Sequence, residues 1–217
     1  MTNLIPLNTF LRTERDYVQG TQLIARTAEL IAVEGLQFVS ASFYKITDRQ
    51  IAVEFSEKKV SEIPVIGSVT FSKFTDEFKC QLIELSLPSP RRNSPLMIKT
   101  ILLNRQKTLS GRFHFGGVSG FEDILNALVQ GIKSMHQALG ETVYDIWLTG
   151  FRGFQLPAQY PAEFKSGTAF VDLVRSSHSE NLYQTLLKVE MRIDCTDTNF
   201  NGFVTFCFKS ESEIYVH

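Results

Sequence analysis

The sequence predicts an α+β protein made of two tandem repeats. Each repeat is a helix wrapped by an antiparallel sheet, and the two together form one pseudo-dimeric domain. Three observations carry this. The order strand, helix, run of strands occurs twice, in residues 1–106 and again in 107–217, with five strands after the first helix and four after the second. Two short stretches match between the halves at the same offset: Val18-Gln19-Gly20 with Val118-Ser119-Gly120, and Gly67-Ser68-Val69-Thr70-Phe71 with Gly167-Thr168-Ala169-Phe170-Val171. Each helical segment also carries an apolar face, which a strongly curved sheet can cover.

The elements follow in order. Residues 4–11 read as a short strand, and residues 17–33 as a helix with Ile24, Ala28, Ile31 and Ala32 near helical spacing. Thr13 and Asp16 are candidate N-caps, and Gly35 is the expected C-cap. Strands are predicted over 38–46, 50–55, 69–74, 78–87 and 96–103, with a turn at Thr47-Asp48-Arg49 and a proline-rich loop over 88–95. Arg91 and Arg92 in that loop read as a solvated turn. The second half repeats the order. A strand covers 109–115, and a helix covers 121–139 with Ile124, Leu125, Leu128, Ile132 and Met135 as its apolar face. Gly140 closes that helix. Strands follow over 143–156, 169–175, 183–194 and 202–209, with Gly150 and Gly153 marking a bulge or bend in the first of them.

Composition narrows the function classes. The chain has 217 residues, 43% hydrophobic and 21% charged, which suits a globular protein with one large core or two smaller ones. Its formal net charge of -1 gives no general attraction to nucleic acid. Cys80, Cys195 and Cys207 lie far apart without CxxC spacing, so no zinc site or disulfide framework is read, and a reducing compartment fits an odd count. There is no basic start followed by an apolar run and no stretch of about 18 apolar residues, so a cytoplasmic, non-membrane protein is expected. No metal or organic cofactor is indicated.

One segment carries a family resemblance. His114-Phe115-Gly116-Gly117-Val118-Ser119-Gly120 precedes the second helix, which continues Asn126-Ala127-Leu128-Val129-Gln130. This resembles the hot-dog superfamily, which includes β-hydroxyacyl-carrier-protein dehydratases and acyl-CoA thioesterases. The dehydratases carry a His-Phe-Pro-Gly loop and then Glu-Ala-Leu-Ala-Gln, whereas the thioesterases carry a His-Gly-Gly segment entering the central helix. The tandem arrangement resembles the double hot-dog members. Two departures stand out: the loop is shortened, and Asn126 replaces the catalytic carboxylate. The corresponding region of the first half is Ala25-Arg26, again without an acid.

The resemblance implies an acyl thioester as ligand, on coenzyme A or an acyl carrier protein, held in an apolar slot between the repeats. His114 then reads as a general base or donor, against the alternative of a surface histidine at a strand end. Gly116, Gly117 and Gly120 read as a backbone cradle for the thioester carbonyl at a helix start, or as a turn that needs glycine. Asn126 orients water or holds a carbonyl, or is a plain helical polar residue. In the first half Tyr17 is a candidate acid or oxyanion donor, with Asp16 and Gly20 beside it; the alternative is a helix cap and staple. Glu122 and Asp123 read as favourable charges at a helix start, Arg26 and Glu29 as a pair, His136 as a helix-end cation and His178 as a loop residue. Dehydratase-like processing is the first expectation. Thioester hydrolysis and non-catalytic acyl binding are the alternatives, and homodimerisation of the fused pair is left open.

Overall fold

Alternation of buried and exposed residues along the strands sets which sheet face each side chain joins. The computed structural model describes residues 4–12, 17–55, 64–92, 98–102, 109–140, 143–158, 166–194 and 199–211. In chain order the elements are β1 (Ile5–Leu7), β2 (Leu11–Arg12), α1 (Gly20–Ile31), β3 (Gln37–Phe43), β4 (Arg49–Phe55), β5 (Val65–Lys73), β6 (Asp76–Pro88), β7 (Arg91–Arg92) and β8 (Lys99–Leu102). They continue as β9 (Gly111–Gly116), α2 (Phe121–Gln137), β10 (Val143–Arg152), β11 (Leu156–Pro157), β12 (Ser166–Ser179), β13 (Leu182–Ile193) and β14 (Asn199–Ser210). Two compact units result, Met1–Leu96 with Leu156–Gln159, and Met97–Gln155 with Tyr160–His217.

The first unit's sheet runs β1-β4-β6-β5-β3, antiparallel throughout, with β11 also paired to β3. The outermost strands β1 and β3 both touch α1. The second unit's sheet runs β10-β14-β13-β12-β9-β8, also antiparallel, and α2 touches β10 at one end and β8 and β9 at the other. Six flat strands would span about 24 Å, whereas a helix with its side chains is about 10 Å across. Only a sheet curled around the helix brings both of its ends into contact with it. The curl accounts for the burial of the helices: residues 124–129 of α2 are all buried, and so are 21–25 of α1. Either run exceeds one 3.6-residue turn, so no face is left to solvent there.

Tight backbone approach holds α2 to β9. A Cβ on Gly131 would lie 2.1 Å from the ring of Phe113, which is fully buried and tilted against Phe115. Gly67 and Gly167 meet a similar limit, since a Cβ would stand 2.5 Å from the Ser42 carbonyl oxygen and 2.6 Å from that of Arg192.

Several expectations change. The matched stretches at Gly67 and Gly167 do not occupy equivalent strands, because β5 pairs with β3 and β6 while β12 pairs with β9 and β13. The segment read as the last strand of the first half is β8, and it pairs with β9, so it joins the second sheet. Arg91 and Arg92 are not a bare turn but form β7, parallel to β2. Helix α1 ends earlier than expected, because Ala32 takes the left-handed cap at φ 50 and donates its N–H to Ala28 O, while Gly35 serves the following turn at φ 75. The N-cap of α1 is Gln19, whose side chain makes no capping hydrogen bond; Thr13 and Asp16 lie outside the described residues. The expected irregularity in β10 is present, with register shifts between Tyr144 and Trp147 and between Leu148 and Gly150.

Substituting Gly131→Ala should lower unfolding free energy by about 1–3 kcal/mol, because the fully buried Phe113 ring would have to shift. That loss outweighs the roughly 1 kcal/mol gained in helix propensity. Gly120→Ala, where a Cβ meets nothing within 4 Å, should be nearly neutral in the same urea titration.

Candidate functional site

Strand parity separates the residues of the second unit. Phe113 and Phe115 of β9 are buried on the side where α2 packs. His114 between them points to the opposite, exposed face, where its Nδ1 lies 2.7 Å from the Thr168 hydroxyl. Asn126 is buried within α2 at 2% exposure. His114 and Asn126 therefore stand on opposite sides of the sheet. Between them the loop turns at Gly117, whose φ of 76 favours glycine. Gly116 ends β9, and Gly120 is extended and accepts the Ile124 N–H at 3.1 Å. Asp123 holds this loop, accepting the Ser119 N–H at 3.0 Å and hydroxyl at 2.7 Å, so its role is structural.

In the first unit, Tyr17 is half-buried just ahead of α1, and the Val18 N–H donates to Thr47 O at 2.8 Å. Gly20 is needed for packing, since a Cβ there would meet the Phe43 ring at 2.6 Å. Arg26 and Glu29 pair as expected, at 2.6 Å. The unexpected residue is Gln22, which is 1% exposed. Its Oε1 accepts the Phe10 N–H at 3.1 Å, while its Nε2 is buried with no hydrogen-bond partner. A buried amide donor left unused is costly, so it marks a place where an acceptor is wanted. Amphipathic spacing hides Gln22, because the polar residue precedes Leu23 and Ile24 in a run that is buried on all sides.

The other described histidines, His136 and His178, make packing contacts. His136 is fully buried rather than an exposed helix-end cation. The Ile132 carbonyl, 2.9 Å from Nδ1, can only accept, so Nδ1 carries the proton, and Nε2 accepts the Thr185 hydroxyl at 2.9 Å. The ring is thus neutral. Burial pushes its pKa down to about 4, with Lys133 acting in the same direction and the Ile132 bond opposing. His178 lies in β12 rather than in a loop, stacked on Tyr183 at 5.5 Å. Among the described residues, no cluster of three or more His, Cys, Asp or Glu could hold a metal, and no helix is long and apolar enough to cross a membrane.

Neither a protein-family model nor a curated protein matches the sequence. Solved structures do match. The chain is similar in fold to the tesB protein of Mycobacterium avium subspecies paratuberculosis, at 10% identity and TM-score 0.51, over 92% of this chain and 90% of that one. GphF dehydratase 1 aligns at 9% identity and TM-score 0.49, over 95% of this chain and 89% of that one. A conserved hot-dog-fold protein of unknown function from Alicyclobacillus acidocaldarius aligns at 7% identity and TM-score 0.47, over 97% and 92%. The likeness is one of fold, and the hot-dog resemblance read from the sequence stands.

His136 makes stability depend on pH. Its pKa is about 4 folded and near 6.5 unfolded. Its stabilising effect is therefore complete above pH 6.5 and is lost as pH falls toward 4, by about 3 kcal/mol in all. Urea unfolding at pH 7 and pH 4 should show this extra loss in the wild type and not in His136→Gln.

Proposed function

We propose that the chain is a double hot-dog protein that binds an acyl thioester, on coenzyme A or a carrier protein, and hydrolyses it. One observation supports this above the others: a buried side-chain amide near the start of each sheet-wrapped helix, Gln22 in α1 and Asn126 in α2. An amide donates to a carbonyl oxygen, and in a dry site that contact is strongest where charge develops on the oxygen. The Gln22 Nε2 group is a buried donor without a hydrogen-bond partner. Tyr17, three residues before α1, is the candidate second donor, and Gly116, Gly117 and Gly120 give the corresponding backbone cradle before α2.

Hydrolysis is favoured over elimination on chemical grounds. Elimination needs a base to take a carbon-bound proton and an acid to release water. The helices bring amides, which do neither, and the His114 imidazole lies across the sheet from Asn126. In hydrolysis water adds to the polarised carbonyl carbon, the C–S bond breaks and the proton lost by the water ends on the departing thiolate, so no carbon-bound proton has to be removed. The second reading, acyl binding without turnover, rests on the same amides and on Asn126 standing where the resemblance places a carboxylate.

A panel of acyl-CoAs of increasing chain length separates the readings. Saturable release of free thiol above the buffer rate is expected, and Gln22→Leu should lower kcat about 100-fold. Saturable binding without thiol would identify the non-catalytic reading. A product lighter by one water would restore the dehydratase-like one, and the lack of any saturable binding would contradict the proposal.

A further inference from the structure

Antiparallel register sets a row of side chains across the first unit's sheet. Glu54 of β4 stands opposite Gln81 of β6, Gln81 opposite Ser68 of β5, and Ser68 opposite Ser42 of β3. Residues directly opposite share a sheet face. Leu82 and Phe43, each next in sequence to a member of the row, point to the α1 side: a Cβ on Gly67 would meet both side chains, and one on Gly20 of α1 would meet the Phe43 ring. The row therefore lies on the face away from α1. Every side chain in it carries oxygen, and Glu54 supplies its one formal charge.

Glu54 is 2% exposed, and both of its carboxylate oxygens are buried without a hydrogen-bond partner. The Gln81 Oε1 is also buried and unpartnered. Cβ atoms of opposite residues are about 5 Å apart, so three acceptor oxygens share one small region and no donor reaches them. An uncompensated buried carboxylate is among the costliest groups a fold can hold. Lys79, two residues along β6 on the same face, is exposed and pairs with Glu77 at 3.1 Å. Turning the Gln81 amide would offer Glu54 an N–H but leave its charge unneutralised. Bare oxygens without donors call for a cation. Calcium takes about six to eight oxygens and magnesium a near-ideal octahedron, usually with further carboxylates. One carboxylate among neutral oxygens matches one positive charge, and neutral oxygens can replace the hydration shell of an alkali ion.

We propose that Glu54 and Gln81, with Ser68 next in the row, form a site for an alkali-metal cation on the face of the first sheet away from α1. The ion would join β4 to β6 and make the stability of the first unit depend on it. The site is independent of the thioester reading.

Thermal unfolding of the full chain in rising potassium chloride tests this, with ionic strength held constant by tetramethylammonium chloride, whose cation is too large to be held between the strands. Tm should rise by about 3 °C or more as potassium replaces tetramethylammonium. Sodium in a parallel series shows which alkali ion fits better, and a gain from either supports the site. Glu54→Gln, which keeps the shape and removes the charge, should lose the gain and melt above the wild type in tetramethylammonium alone. Gln81→Leu should move the potassium midpoint about tenfold higher. The wild type decides the matter even if a variant does not fold: equal Tm in all three salts would overturn the proposal. An undiminished potassium gain in Glu54→Gln would also overturn it, by placing the ion elsewhere. A larger gain from magnesium or calcium at matched ionic strength would overturn the assignment to a monovalent ion.

Discussion

Burial of a whole helix circumference inside a curled sheet is the constraint from which the other features of each unit follow. A sheet packed flat against a helix covers one stripe and leaves the rest to water. Here the strands at both ends of each sheet reach the helix, and α1 and α2 are buried through more than a full turn. Such packing leaves little slack, which is why glycine stands at Gly20 and Gly131, where aromatic rings of the sheet press against the helix backbone.

Full burial also changes what the polar residues of a helix can be. On an amphipathic helix, Gln22, Asn126 and His136 would be solvated or marginal. Inside the sheet each must find a partner or present a cost. His136 finds two, at Ile132 and Thr185, and becomes a neutral core residue ringed by Phe206 and Phe208. Gln22 satisfies only its oxygen, through Phe10. The contrast is between a histidine whose ring nitrogens are both satisfied and a glutamine whose amide nitrogen is left without a partner.

The larger outlines were legible in the sequence. Helical spacing around Ile24 and Ile124 located both helices, and β-branched and aromatic runs located most strands. The His114 face was legible too, since Phe113 and Phe115 on either side must point inward. Other features were set by contacts distant in the chain. Nothing local in the proline-rich stretch announces β7, which exists because Leu11 and Arg12 supply a partner. The extension of β12 through His178 depends on its pairing with β13. Gln22 escaped because spacing arguments assume a solvent-facing side that this helix lacks at that point.

Hydrogen exchange tests the wrapped-helix architecture most directly, since amides exchange only as fast as their surroundings open. Peptides covering residues 20–31 and 121–137 should exchange as slowly as those from the central strands β6 and β13. Rapid exchange of either helix while the strands remain protected would mean that the helix lies on an outer surface, contradicting the packing on which the proposed thioester site depends.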